Sequence, residues 1–274
     1  MTTKSATPPA RLPGSARPRA AIAARTLRTD RWWFAPLITV VGLGAWVLYA
    51  TVRVFMHDFY WVEKYSYLTP FYSPCVTQRC VEGSSHFGQF LPGWWIIPDA
   101  ALTLPFLLLF RLTCYYYRKA YYRSFWLSPP ACAVPDGHKT YSGETRFPLL
   151  GQNLHRYFFY AAAIISLINT WDAILAFRTG DGSFGFGLGN IILVGNVVML
   201  WAYTISCHSC RHIIGGRMKH FSKHPVRYRA WTFVSALNTR HMALAWITLG
   251  TLALTDFYIM GLAAEWFPDL RFIN

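Results

Sequence analysis

Cys207 and Cys210 stand in the stretch Ser206-Cys-His-Ser-Cys-Arg-His, at the end of a long apolar run. Reduced cysteines at Cys-x-x-Cys spacing bind metals or do redox chemistry, because the thiolate is both a soft ligand and a nucleophile. On a helix the two share one face, about one turn apart. Seven of the nine histidines lie in or beside the same polar segments: His138, His155, His208, His212, His220, His224 and His241. Two ligand sets would complete a Cys₂His₂ site. Cys207, Cys210, His220 and His224 have zinc-like pairing, with nine residues between the pairs, fewer than a usual finger linker. Alternatively His155 and His241 open neighbouring apolar helices at the depth where Cys207 ends another. Two cysteines on one iron and two histidines on the other is Rieske-type ligation of a [2Fe–2S] cluster. His212 is a reserve ligand, followed by His220 and His224. The bland rival is a pair of packed cysteines with histidines reaching interfacial water.

The elements that must hold these residues follow from composition. Of 274 residues, 54% are hydrophobic, 18% aromatic and only 14% charged. A soluble domain carries about 25% charged residues. Lys and Arg number 26 against 12 Asp and Glu, a formal net charge of +14. The cations punctuate long apolar runs rather than decorating a polar fold, which argues against a nucleic-acid binder. Twelve Trp, 16 Tyr and 20 Phe suit membrane-interface belts. A helix needs about 20 apolar residues to cross the hydrocarbon. Five runs qualify: roughly Trp33–Val54, Trp94–Tyr117, Tyr157–Phe177, Gly187–Ser206 and Met242–Ala264. Pro98 and Pro105 predict a kink in the second.

The fold class is thus an all-α integral membrane protein, a bundle of five transmembrane helices in the cell membrane. Residues 1–31 form a basic arm, expected to be disordered, ahead of a membrane domain over 32–274. Cations cluster in the arm, in the loop holding Arg118, Lys119, Arg123, Lys139 and Arg146, and in the segment from Arg211 to Arg240. The positive-inside rule makes the N-terminus cytoplasmic and the C-terminus external. Cys75 and Cys80 then fall outside and suit a small disulfide loop. The helix middles contain no histidine, which argues against a stack of bis-histidine haems. No inverted hydropathy repeat is visible, against a common transporter layout. Asp99 and Asp172 sit near the outer boundary, where hydration satisfies them. Asp256 lies deeper and requires protonation or a hydroxyl partner. Arg111 is expected to snorkel.

Several separate motifs carry a resemblance: Ser128-Pro-Pro-Ala-Cys-Ala-Val, Gly143-Glu-Thr-Arg-Phe-Pro-Leu, Gln152-Asn-Leu-His-Arg-Tyr-Phe-Phe, the Cys207/Cys210 stretch, His220-Phe-Ser-Lys-His-Pro and His241-Met-Ala-Leu-Ala-Trp. Over roughly residues 30–265 they resemble the single-chain, five-helix membrane anchor of haem-free, type F succinate dehydrogenase. The resemblance implies a flavoprotein partner that oxidises succinate and an iron–sulfur partner that relays electrons, with a higher oligomer of the complex allowed. It implies a membrane-embedded Rieske-type [2Fe–2S] cluster, mapped here onto Cys207, Cys210, His155 and His241, a quinone (menaquinone or ubiquinone), and no haem. Trp231, Ser235 and Arg240 are the candidate quinone-lining residues. Trp231 and Ser235 share a face of a helix starting at Pro225. The alternative from another class is a membrane scaffold or small transporter with a structural zinc site.

Overall fold

A computed structural model describes residues 28–73, 75, 76, 81, 91, 92, 94–138 and 147–273, with side chains from 153 onward in the last stretch. Most of the basic arm, Cys80 and the Gly143–Arg146 part of one motif lie outside the described residues. Cys75 is disulfide-bonded.

The described residues are mainly helical, in α1 (Phe34–Met56), α2 (Asp99–Leu112), α3 (Tyr115–Ser124), α4 (Phe147–Leu175), α5 (Leu188–Ile205), α6 (His208–Gly215), α7 (Pro225–Asn238) and α8 (His241–Ala263). Two short antiparallel pairs, β1 (Trp61–Val62) with β2 (Tyr67–Leu68) and β3 (Phe186–Gly187) with β4 (Arg271–Ile273), tie the loops at one end. Among the described residues four helices, α1, α4, α5 and α8, are long and apolar enough to cross a membrane, and α2 with α3 makes a fifth if the bent pair is one span. Lipid-facing side chains account for their exposure: Val41 and Leu48 of α1 are 60% and 67% exposed.

The second apolar run differs from expectation. It starts at Asp99, because Pro98 holds an extended backbone immediately before it. Pro105 lies inside α2, yet the sharp bend comes later, an 82° turn between α2 and α3. Cys114 is extended there (ψ 130°), and the following Tyr115–Ser124 is too polar to continue through hydrocarbon.

Helix α8 packs on α5, α5 on α4, and α4 on α2. Small residues at the contacts, including Ala162, Ala245 and Ala176, let the backbones approach. The intramembrane charges depart from expectation in part: Asp256 has a hydroxyl partner as expected, and an arginine besides. Asp256 pairs with Arg53 of α1, with Nε 2.7 Å from Oδ2 and Nη2 3.1 Å from Oδ1, and accepts from the Tyr49 hydroxyl at 2.5 Å. Asp99 and Asp172 are buried rather than hydrated, and Asp172 accepts from the Ser73 hydroxyl. Arg111 does not snorkel: its guanidinium lies against the rings of Tyr203 and Tyr117, donating to the Tyr117 hydroxyl at 2.5 Å.

At the β3–β4 end, fully buried Tyr67 links three elements. Its hydroxyl lies 2.7 Å from Asn190 Oδ1 and 2.9 Å from Asp269 Oδ2, and accepts from Arg271 Nη1 at 2.9 Å. Asp269 also accepts from the Tyr258 hydroxyl and the Gly189 amide. Gly189 is required: a Cβ there would sit 2.2 Å from the Tyr67 ring. Tyr67→Phe should destabilise the chain by about 1–3 kcal/mol, the cost of leaving buried polar atoms unpaired. Thermal unfolding in detergent measures it, and an unchanged midpoint would show the network to be dispensable.

Candidate functional site

Four side chains from four different elements meet at the end of the bundle opposite the strands. Cys114 occupies the break between α2 and α3. Cys207 occupies the break between α5 and α6, where its backbone is extended (ψ 142°). His155 lies in α4, and His241 is the first residue of α8. His155 Nε2 is 3.0 Å from Cys207 Sγ, and His241 Nε2 is 3.6 Å from Cys114 Sγ. Both thiols are buried, Cys207 completely.

The hydroxyls behind the imidazoles settle which nitrogen faces the sulfurs. With the single Thr113 hydroxyl proton assigned to the Leu109 carbonyl at 2.6 Å, its oxygen accepts from His155 Nδ1 at 2.8 Å. Ser206 donates to the Tyr203 carbonyl at 2.7 Å and therefore accepts from His241 Nδ1, also at 2.7 Å. Each ring thus carries its proton on Nδ1 and turns a bare Nε2 toward a cysteine. This outer-shell arrangement is what orients and tautomerises metal-binding histidines. Aromatic rings clamp both imidazoles: Phe110 stacks on His155 and Tyr203 on His241, each with centroids 5.0 Å apart.

Burial pushes the Cys207 thiol up to about 12, against the opposing hydrogen bond from the Ser209 amide. A thiolate here needs a cation beside it. The donor set, two thiols and two pre-oriented imidazoles, fits a metal centre of Cys₂His₂ type. Among the described residues, no three or more such side chains close on one ion-sized centre. The four instead form two thiol–imidazole pairs.

The structure therefore joins three of the four expected ligands, Cys207, His155 and His241. Cys210 lies within α6 in the packed core, and the cavity of about 780 Å³ onto which the other three open is lined by Cys114 and not by Cys210. Cys207 is the N-cap of α6 rather than part of a continuing helix, and its thiol accepts from the Ser209 amide. Cys114 was legible only as a cysteine at the inner end of the second apolar run, the depth of Cys207. His212 lines the rim of that cavity, while His220 and His224 are exposed and do not. Helix α7 starts at Pro225, and Ser235 donates to the Trp231 carbonyl at 2.7 Å. Trp231 packs against Gly215 and lies under Arg211, and Arg240 is exposed. None of Trp231, Ser235 and Arg240 lines the cavity over the Cys/His group.

Residues 34–265 match the family described as actinobacterial succinate dehydrogenase subunit SdhC. The chain belongs to that family. Similarity to a chain of the Mycobacterium smegmatis Sdh1 complex in the apo form agrees: 68% identity, a TM-score of 0.85, and coverage of 95% of this chain and 98% of that one. No curated protein matches. This SdhC-family chain is a membrane-anchor subunit of succinate dehydrogenase, and the succinate-oxidising site is on a partner chain.

Proposed function

We propose that this SdhC-family subunit is the haem-free, type F anchor of succinate dehydrogenase and carries electrons from a soluble iron–sulfur subunit to a quinone. A flavoprotein subunit oxidises succinate to fumarate, releasing two electrons and two protons, and a quinone takes up two of each. The centre is a Rieske-type [2Fe–2S] cluster on Cys114, Cys207, His155 and His241. The observation that carries this reading is the pair of imidazoles with Nδ1–H committed to Thr113 and Ser206 and Nε2 turned to the sulfurs. Two thiols and two imidazoles, which among the described residues do not close on one ion-sized centre, are the donor set of a two-iron cluster with both thiolates on one iron and both imidazoles on the other. When bound, such a cluster supplies one-electron transfer at a potential raised by its histidines.

The chain's own residues do the rest. Thr113 and Ser206 hold the two rings, Phe110 and Tyr203 exclude water from them, and the breaks at Cys114 and Cys207 bring the thiols in. Arg118, Lys119 and Arg123 and the cations from Arg211 to Arg240 flank this end, which supports a bundle of five spans with this end and the N-terminus cytoplasmic and the C-terminus outside. The iron–sulfur partner would then dock over the open cavity.

Metal analysis and an electron paramagnetic resonance spectrum of the purified complex test the reading. Two irons on this subunit, with a spectrum distinct from those of the soluble subunits, support it. One zinc per chain without that iron would assign the group to a structural site. Thr113→Val keeps the shape and removes the acceptor for His155 Nδ1. It is expected to weaken metal retention about 10–100-fold, read as iron remaining after graded chelation. Unchanged retention would remove Thr113 from the site.

A further inference from the structure

Part of the Ser128-Pro-Pro-Ala-Cys motif, Pro130, Ala131 and Cys132, walls a second cavity, of about 490 Å³. Its other walls are the segment ahead of α1, the start of α1 and the polar helix α3. The volume is within the range of small-ligand sites. Local sequence explains why it forms. Tyr115–Ser124 is too polar to stay in hydrocarbon, so α3 turns 82° from α2 and packs against α1. The Cys132 carbonyl accepts from Arg28 Nη1 at 2.8 Å, which closes the loop onto the segment ahead of α1.

Charge on the wall is one-sided. Arg28, Arg31, Lys119 and Arg123 line the cavity against a single acid, Asp30. That acid is already bound by Arg28, with Nε 2.7 Å from Oδ1. Among the described residues no carboxylate pairs with Arg31, Lys119 or Arg123. Lys119 and Arg123 are four residues apart on α3 and share a face. Like charges at that spacing destabilise a helix, so an anion beside them is stabilising.

Depth selects what carries the anion. Ala35, Pro36 and Thr39 form the α1 side, so the cavity reaches past the first turn of a helix long and apolar enough to cross a membrane. Leu37, Ile38 and Val41 of the same helix are exposed. Ala120 and Met242 add apolar wall. A free inorganic anion would satisfy the cations and leave the apolar surface bare. The glycerol and acyl chains of a lipid would cover it.

We propose that this cavity binds the phosphate head group of an anionic membrane phospholipid, with Arg31, Lys119 and Arg123 on the phosphate and the acyl chains running along α1 past Leu37 and Ile38. Basic pockets between membrane helices suit such head groups. The lipid clamps α3 against α1. Tyr116 and Met242 line both this cavity and the one over the Cys/His group, so the clamp borders the site. The inference stands apart from the cluster reading and needs only a membrane anchor.

Native mass spectrometry of the purified, delipidated whole complex tests it, with phosphatidylglycerol, phosphatidylcholine and inorganic phosphate as probes. Phosphatidylglycerol should be retained on this subunit and phosphatidylcholine lost. Lys119→Gln with Arg123→Gln should weaken retention about 30-fold, the effect of two cations at a membrane surface. Lys223→Gln with Arg229→Gln removes the same charge from exposed positions outside the cavity and should leave retention unchanged. Lys119→Arg with Arg123→Lys keeps the charge and should bind like the unaltered complex, which separates lost binding from lost folding. Equal retention of phosphatidylcholine, or equal losses in the two Gln pairs, would overturn the site. Two further results would overturn the lipid as occupant: inorganic phosphate binding as tightly, or a carbodiimide cross-link from Lys119 to a carboxylate of a soluble subunit, which would give the cavity to an acidic segment of that partner.

Discussion

The Cys114→Ser complex is expected to lose the two-iron signal and all quinone reduction, while Cys210→Ser keeps both. The contrast is sharp because both cysteines are buried and their replacements are equally conservative. Only Cys114 lines the cavity with Cys207, His155 and His241, and only Cys114 has its sulfur within 3.6 Å of His241 Nε2. A missing ligand from a four-ligand cluster leaves an iron under-coordinated, and the centre is not retained. Succinate-to-dye activity should persist, because the oxidising site is on a partner chain. Iron analysis, the resonance spectrum and quinone reductase assays of the two complexes decide it. The reverse pattern, with Cys210→Ser losing iron, would restore the helical Cys-x-x-Cys face as the ligand pair.

The second large effect concerns stability. Removing one partner of the Arg53–Asp256 pair should cost about 3–5 kcal/mol, as for other buried ion pairs left half-made. Arg53 is 2% exposed and Asp256 fully buried. The two cases differ in degree. Without Asp256, the Arg53 guanidinium keeps the carbonyls of Asp58 and Phe59, at 3.1 and 3.2 Å. Without Arg53, Asp256 keeps only the Tyr49 hydroxyl, so Arg53→Met should be the worse lesion. The double variant Arg53→Met with Asp256→Leu should recover most of the loss, since well-packed apolar residues replace buried pairs at little cost. Detergent unfolding of the three variants measures the coupling. If the two losses simply added, the pair would be two independent contacts rather than one interaction.

Composition and the lengths of the apolar runs are enough to read the membrane class, the runs themselves and the end of the bundle where cysteines and histidines gather. These are one-dimensional properties: the length of an apolar run sets whether it spans, and the depth of a residue follows from its distance to the end of that run. That is why His155, His241 and Cys207 could be grouped from separate helices. The Arg53–Asp256 pair was half legible, as a deep carboxylate in need of a partner. The partner lies 203 residues away, on a helix whose neighbours no local pattern specifies. Tertiary structure alone placed Cys114, and not Cys210, on the cavity with Cys207, His155 and His241. Helical spacing put Cys207 and Cys210 on one face, but the chain leaves the helix at Cys207 and at Cys114. Two breaks of two residues each, Thr113-Cys114 and Ser206-Cys207, redirect a thiol further than any periodicity predicts. The protonated nitrogen of each imidazole was likewise out of reach, since it depends on whether a threonine or serine has already spent its proton on its own helix. So was the basic cavity between α1 and α3, whose walls come from separate segments and exist only once those segments are packed.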